Sequence, residues 1–252
     1  MYLVGAGPGD PGLLTLRAAA LLESATEVYY DHLVSDDVLA RCGPHARLVN
    51  VGKIGHGAAT AQRHIEDQLV AAAKAGHRVV RLKGGDPLLF GRGAEEAMAL
   101  EAAGVPFEIV PGVSSALAVP AYAGIPVTAR GYAASVAIVT GHSMAGGPAS
   151  IPLADTIVVL MGVANAAMIR DQLLATGLAA ATPAAVVEWG TCARQRVLIS
   201  TLCDLPATIA DAGIGAPAII VIGEVVRLRD RLSRRRLTAA ATACAQWRSS
   251  EP

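Results

Sequence analysis

Short apolar runs punctuated by glycine recur along the chain. Between them lie longer segments whose apolar residues return every three or four positions. The first pattern is that of a buried strand and the second that of an amphipathic helix. In the first half, strands are predicted over residues 2–4, 27–30, 47–51, 78–82 and 107–110, with helices over 13–24, 36–41, 60–75 and 94–103. In the first helix Leu13, Leu14, Leu16, Leu21 and Leu22 are expected to face the sheet. Such alternation predicts a parallel sheet joined by right-handed crossovers. Pro111-Gly112 then breaks the chain and residues 113–122 read as a connecting helix. The alternation restarts with strands over 135–140, 156–161, 184–188, 196–200 and 218–222 and helices over 164–175 and 205–212. The expected fold class is α/β: two α/β domains, 1–111 and 112–232, with an active-site cleft between them. A basic, alanine-rich tail over 233–252 is expected to be partly disordered, with Arg234-Arg235-Arg236 as a solvated helix end.

The predicted strand over 78–82 runs into Lys83-Gly84-Gly85-Asp86-Pro87. Paired glycines let the backbone turn sharply and approach a ligand that a Cβ would obstruct. Asp86 offers a fixed acceptor at the turn and Pro87 stiffens its exit. A glycine-rich loop at the carboxyl end of a strand is where open α/β sheets bind ligands; two glycines also make a plain strand-to-helix turn. The first strand runs into a second such loop, Gly5-Ala6-Gly7-Pro8-Gly9-Asp10-Pro11-Gly12. Gly5-x-Gly7 after a strand invites a dinucleotide, with Asp31 where a ribose-binding acid would sit. Asp10 opposes that reading. It occupies the third position of the fingerprint, and followed by Pro11 it has the form of a helix N-cap. A carboxylate there satisfies the helix terminus and repels a pyrophosphate. A cofactor without phosphates, such as S-adenosylmethionine, avoids the conflict.

Apolar residues make up 53% of the chain and the mean hydropathy is +0.45. Much of this is alanine, and no run approaches the roughly 20 apolar residues that span a bilayer. No charged segment precedes an apolar one at the N-terminus, so a cytoplasmic protein without a membrane partner is expected. The 21 basic and 21 acidic residues cancel, and nothing global attracts nucleic acid. A polyanionic partner must therefore meet a local pocket of cations. Cys42, Cys192, Cys203 and Cys244 are scattered, which predicts neither a zinc site nor a disulfide framework.

Several other residues stand where chemistry could sit. Asp31 and Lys53 each close a strand on the edge that carries the glycine loops; such residues are solvated strand ends or halves of an acid–base pair. Ser114-Ser115 opens a helix, to cap it or to meet a ligand with its backbone. His142, after a strand, is an exposed loop residue or a carboxylate ligand. Met161 ends a strand, to pack on an adenine or fill core, and Gly190 in Glu188-Trp189-Gly190-Thr191 is similarly placed.

Together these loops carry a resemblance. They include Val4 to Pro11, Tyr30-Asp31-His32-Leu33-Val34-Ser35, Val51-Gly52-Lys53, and Arg81-Leu82-Lys83-Gly84-Gly85-Asp86-Pro87 with Phe90-Gly91-Arg92-Gly93. They continue through Val110-Pro111-Gly112-Val113-Ser114-Ser115, Val139-Thr140-Gly141-His142 and Thr191 to Val197. The chain resembles the uroporphyrinogen-III C-methyltransferases, within the tetrapyrrole methylases of the class III methyltransferase fold. The resemblance implies S-adenosylmethionine bound between two α/β domains of a homodimer and released as S-adenosylhomocysteine, with no metal. It implies two methylations of uroporphyrinogen III to precorrin-2, toward sirohaem or cobalamin. By motif match, cofactor contacts fall on Pro8, Gly84, Gly85, Asp86, Leu89, Ser114, Ser115, Met161 and Gly190, with Asp31 as proton acceptor and Lys53 as proton donor. Arg92, Arg130 and His142 are candidates for the substrate's carboxylates. The chain departs from the family at Ala94, where another glycine is usual, at Ile54 after the lysine, and at Ala129, where a histidine is usual. Open alternatives are a methyltransferase of a later corrin precursor, a nucleotide-dependent oxidoreductase using the Gly5 loop, and a non-catalytic binding protein.

Overall fold

The computed structural model describes residues 1–52, 58–142 and 150–233. Lys53, Ile54 and the tail from residue 234 onward lie outside the described residues. The first half forms β1 (Tyr2–Gly5), α1 (Leu16–Ser24), β2 (Glu27–Tyr30), α2 (Asp36–Leu39) and β3 (Arg47–Asn50). It continues with α3 (Ala58–Lys74), β4 (Val79–Lys83), α4 (Gly93–Ala102) and β5 (Glu108–Val110). The five strands make one sheet in the order β3-β2-β4-β1-β5, and every pairing in it is parallel. Central β4 is buried throughout, as a strand covered by helices on both faces must be. Val80 and Leu82 join the cluster under α1 with Val4, Leu22 and Val28. Val79 faces the other way, against Tyr29, Ile65 and Leu69.

The predicted first helix begins three residues late. Asp10 does cap, but it caps a single 3-10 turn, Pro11–Leu13, by accepting from the Gly12 amide at 2.7 Å. The α-helix itself is capped by Thr15, whose hydroxyl accepts from Ala18 N at 3.1 Å. Ala18, Leu21 and Leu22 then form the buried face. Leu16, expected to face the sheet, is 92% exposed, because it lies about 200° around the helix from Ala18.

The second half comprises α5 (Ser115–Tyr122), β6 (Val136–Thr140), β7 (Thr156–Leu160), α6 (Ala166–Ala175) and β8 (Pro183–Glu188). It ends with β9 (Arg196–Thr201), α7 (Leu205–Asp211), β10 (Ala218–Ile222) and α8 (Arg229–Leu232). Its sheet, β6-β7-β10-β8-β9, is mixed rather than parallel. Only β6 and β7 pair in parallel; β10 is antiparallel to β7 and β8, and β9 to β8. The connection from β8 to β9, residues 189–195, is too short to cross over, so it can only make a hairpin. Helix α5 packs with this second sheet: Ala116, Val119 and Ala123 share a core with Val158, Val187 and Val221.

Candidate active site

Because the first sheet is parallel, all five of its strands deliver their following loops to one edge. Three of those loops are packed backbone against backbone. Gly85 N donates to Gly7 O at 2.7 Å and Gly7 N to Gly85 O at 3.2 Å. A Cβ on Gly5 would lie 2.5 Å from Gly112 Cα, and one on Gly112 would lie 2.3 Å from Gly85 O. These glycines exist for contact between loops, a use distinct from the approach of a ligand. Gly85 takes a left-handed φ of 69° to make the turn. Gly84 is exposed, and a Cβ there would meet only Leu33 Cβ, at 3.9 Å. Asp86 staples the loops, as its Oδ1 accepts from Leu88 N at 2.9 Å and its Oδ2 from Gly112 N at 3.1 Å. Both oxygens of its carboxylate thus accept from the chain itself.

The second sheet faces this edge with the ends of β6, β7 and β8. Met161 follows β7 at φ 54° and is 45% exposed. Trp189 and Thr191, at φ 47° and 68°, flank Gly190, where a Cβ would lie 2.3 Å from Val119 Cγ1. Backbone strain of this kind persists where surrounding structure over-determines it, commonly at functional sites. Ser114 caps α5 by accepting from Ala116 N at 3.2 Å, and Leu89 packs against the second core. The two edges are tied together at Asp10. Its Oδ2 accepts from the Tyr122 hydroxyl at 2.7 Å and its amide donates to Thr191 Oγ1 at 3.3 Å. Gln195 completes the tie, accepting from Thr191 N at 2.9 Å and donating to Tyr122 O at 3.4 Å. Burial, and then the bond to Asp10, push the Tyr122 phenol up to about 12, so it stays a donor.

Asp31 follows β2, next to the end of β4, with its amide donating to Leu82 O at 3.2 Å. Its side chain is 31% exposed, and behind it lies a charge cluster beneath α3 and α4. Arg81 Nη2 donates to Asp31 Oδ1, and Lys83 Nζ stands 3.8 Å from Asp31 Oδ2. Glu96 Oε1 accepts from Arg81 Nε at 3.0 Å, Lys83 Nζ at 3.0 Å and Gln62 Nε2 at 3.4 Å. Burial, and then Arg81, push the Lys83 ammonium below its ordinary value, against Asp31 and Glu96, which favour its charge.

The substrate candidates are less concentrated. Arg92, at φ 60°, precedes α4 and donates from Nε to Glu95 at 2.9 Å. His142 is exposed after β6, one residue beyond the level of Met161, because β6 and β7 run in parallel with Thr140 opposite Leu160. Arg130 is exposed in a turn closed by Ala129 and Ala133, ahead of β6, so that strand lies between it and His142. Lys53 lies outside the described residues; β3, which leads to it, ends at the same edge as Asp31.

The family of tetrapyrrole (corrin/porphyrin) methylases matches residues 1–206. The chain belongs to the tetrapyrrole methylases. It is 49% identical over 239 residues to the siroheme synthase of Pseudomonas fluorescens strain Pf0-1, covering 92% of this chain and 51% of that protein. The chain thus spans about half the length of the curated relatives it matches. The uroporphyrin-III C-methyl transferase of Thermus thermophilus, solved with S-adenyl homocysteine, has a TM-score of 0.78 at 42% identity, over 90% of this chain and 98% of that one. A cobalt precorrin-4 methyltransferase has a TM-score of 0.77 at 27% identity, covering 89% and 95%.

Within this tetrapyrrole methylase, two features went unread in the sequence. One is the Arg81–Lys83–Glu96 cluster. Its signal was two cations at alternate positions of a run otherwise apolar, which oblige a buried counter-charge on the covering helix. The other is the tie from Asp10 to Tyr122 and Thr191, whose members lie far apart in the chain and carry no local signal.

Proposed function

We propose that the chain transfers methyl groups from S-adenosylmethionine to two pyrrole carbons of uroporphyrinogen III, C2 and C7, giving precorrin-2. The likeness to the Thermus thermophilus enzyme and its bound product, over nearly that enzyme's whole length, carries this reading. The site's own shape supports it. The open face of Gly84 leaves a cradle that a side chain would fill. The first helical turn has its amide satisfied by Asp10, which suits a cofactor without phosphates and disfavours a dinucleotide.

In this reading Pro8, Gly84, Gly85, Asp86, Leu89, Ser114 and Ser115 hold the cofactor from one side, and Met161 and Gly190 from the other. The bound cofactor supplies a methyl group already activated on a sulfonium. The chain's part is to align an electron-rich ring carbon with it and keep it there. Once the carbon is methylated the ring system is cationic and loses a proton, which Asp31 accepts; Lys53 serves as proton donor. The substrate's carboxylates are met by Arg92, Arg130 and His142 through charge-assisted hydrogen bonds. Glu95 already engages Arg92, so a substrate carboxylate competes for that guanidinium.

The same reading takes residues 1–111 and 112–232 as domains that form the cleft, and a homodimer in the cytoplasm as the working state. Among the described residues no helix is long and apolar enough to cross a membrane. The test is anaerobic incubation with uroporphyrinogen III and methyl-labelled S-adenosylmethionine. Two labels per tetrapyrrole are expected. Label entering only a later corrin precursor would reject the substrate assignment. Tight binding of a nicotinamide dinucleotide with no response to S-adenosylhomocysteine would reject the methyltransferase.

A further inference from the structure

We propose that Arg81, anchored by buried Glu96, is a positioning residue that sets the orientation of the Asp31 carboxylate, so that the Arg81–Glu96–Lys83 cluster is part of the proton-accepting apparatus. The inference rests on the reading of Asp31 as proton acceptor.

A guanidinium is a planar fork whose donors hold a fixed geometry. All three nitrogens of Arg81 are engaged. Nε donates to Glu96 at 3.0 Å, Nη1 to the carbonyls of Leu82 at 3.2 Å and Tyr29 at 3.4 Å, and Nη2 to Asp31. The two carbonyls and Glu96 belong to the buried framework, and Arg81 itself is only 2% exposed. The fork therefore cannot turn, and the direction of Nη2 dictates where Asp31 Oδ1 sits. With Oδ1 taken, Oδ2 is left as the oxygen free to accept a proton, with Lys83 Nζ 3.8 Å behind it.

Glu96 is what keeps the fork in place. It is 1% exposed, and its Oε1 gathers three donors while its Oε2 has no hydrogen-bond partner among the described residues. That lopsided use of one oxygen draws Arg81 and Lys83 toward a single point, although like charges repel. Two cations and two carboxylates balance only with Asp31 included, so the cluster is complete only when it reaches the cleft.

The test is a double-mutant cycle on the full chain with Arg81→Lys and Asp31→Asn, using uroporphyrinogen III and methyl-labelled S-adenosylmethionine. Lysine keeps the charge but cannot reach Glu96 and Asp31 with a planar fork. Arg81→Lys is expected to lower kcat roughly 10- to 100-fold, the scale of a misplacement near 1 Å. KM for the tetrapyrrole and affinity for S-adenosylhomocysteine should stay within about threefold of the parent's. In the Asp31→Asn background the same change should cost less than about twofold, because a residue acting through Asp31 has nothing left to position. Undiminished kcat in Arg81→Lys, or an equal drop in both backgrounds, would overturn the proposal. If Arg81→Lys does not fold, Glu96→Gln carries the same cycle with a smaller drop expected. Failure of both variants to fold and bind S-adenosylhomocysteine would make the cluster purely structural. Should Asp31→Asn turn over like the parent, the reading of Asp31 fails instead, whatever Arg81 does.

Discussion

The two sheet edges that face each other are built differently. The first gathers five parallel strand ends and packs three of their loops backbone to backbone, with Gly5 and Gly112 so close that a Cβ on either would clash with the main chain of the other and of Gly85. Four of its ionisable side chains, Asp31, Arg81, Lys83 and Glu96, form one cluster. The second edge is mixed in direction, and on it Met161, Trp189 and Thr191 take left-handed backbone, as Phe90 and Arg92 do after β4. Its Gly190 contact is with the side chain of Val119. Its one buried carboxylate among the described residues, Glu188, is occupied by Arg196 at 3.1 Å and the Gly215 amide at 2.8 Å. In the proposed reading the first edge holds the base in a frame locked by backbone contacts, and the second supplies a wall whose shape depends on side chains. A rigid base and an adjustable wall suit a reaction repeated on two carbons of one large ring.

That division can be broken from either side. The largest effect is expected from Asp31→Ala, which should lower turnover about 100- to 10,000-fold, the range of a lost general base. S-adenosylhomocysteine affinity, measured by calorimetry, should hardly change. Next comes Gly112→Val. Its Cβ meets Gly85 O and Gly5 Cα, main-chain atoms that no second substitution can trim. A loss of about 3 kcal/mol of stability is expected, with cofactor binding lost as well, read by denaturant melts and calorimetry. Gly190→Ala should cost less, about 2 kcal/mol, and combination with Val119→Ala, which removes Cγ1 and Cγ2 but leaves Cβ at 2.8 Å, should recover part of it. Failure of that rescue would remove the contrast between the edges. The smallest change is Tyr122→Phe, which deletes the bond to Asp10 and should cost about 1 kcal/mol with kcat little altered.

Much of this was legible in the sequence. Apolar runs and glycine punctuation located every strand among the described residues, because the alternation of strands with helices leaves a local signal. The loops at the first edge could be assigned to one side for the same reason. The sense of the second sheet could not, since a strand's direction depends on its partners; only the short connection over residues 189–195 hinted at a hairpin. Leu16 was read on the wrong face because Asp10 with Pro11 looked like the start of the α-helix, whereas Thr15 provides it. The glycines were read as making room for a ligand, and the structure divides them. Gly84 is exposed, while Gly5, Gly85 and Gly112 serve one another. Arg81 and Lys83 were treated as the end of a strand, and the carboxylate that explains them, Glu96, lies on the next helix.

The most direct test of the account is the mass of the tetrapyrrole recovered after anaerobic reaction of uroporphyrinogen III with S-adenosylmethionine, for the parent chain and Asp31→Ala side by side. The account predicts addition of two methyl groups by the parent, and little or none in the same time by a variant that still binds S-adenosylhomocysteine. An unmethylated tetrapyrrole from the parent, or equal methylation by both, would contradict it.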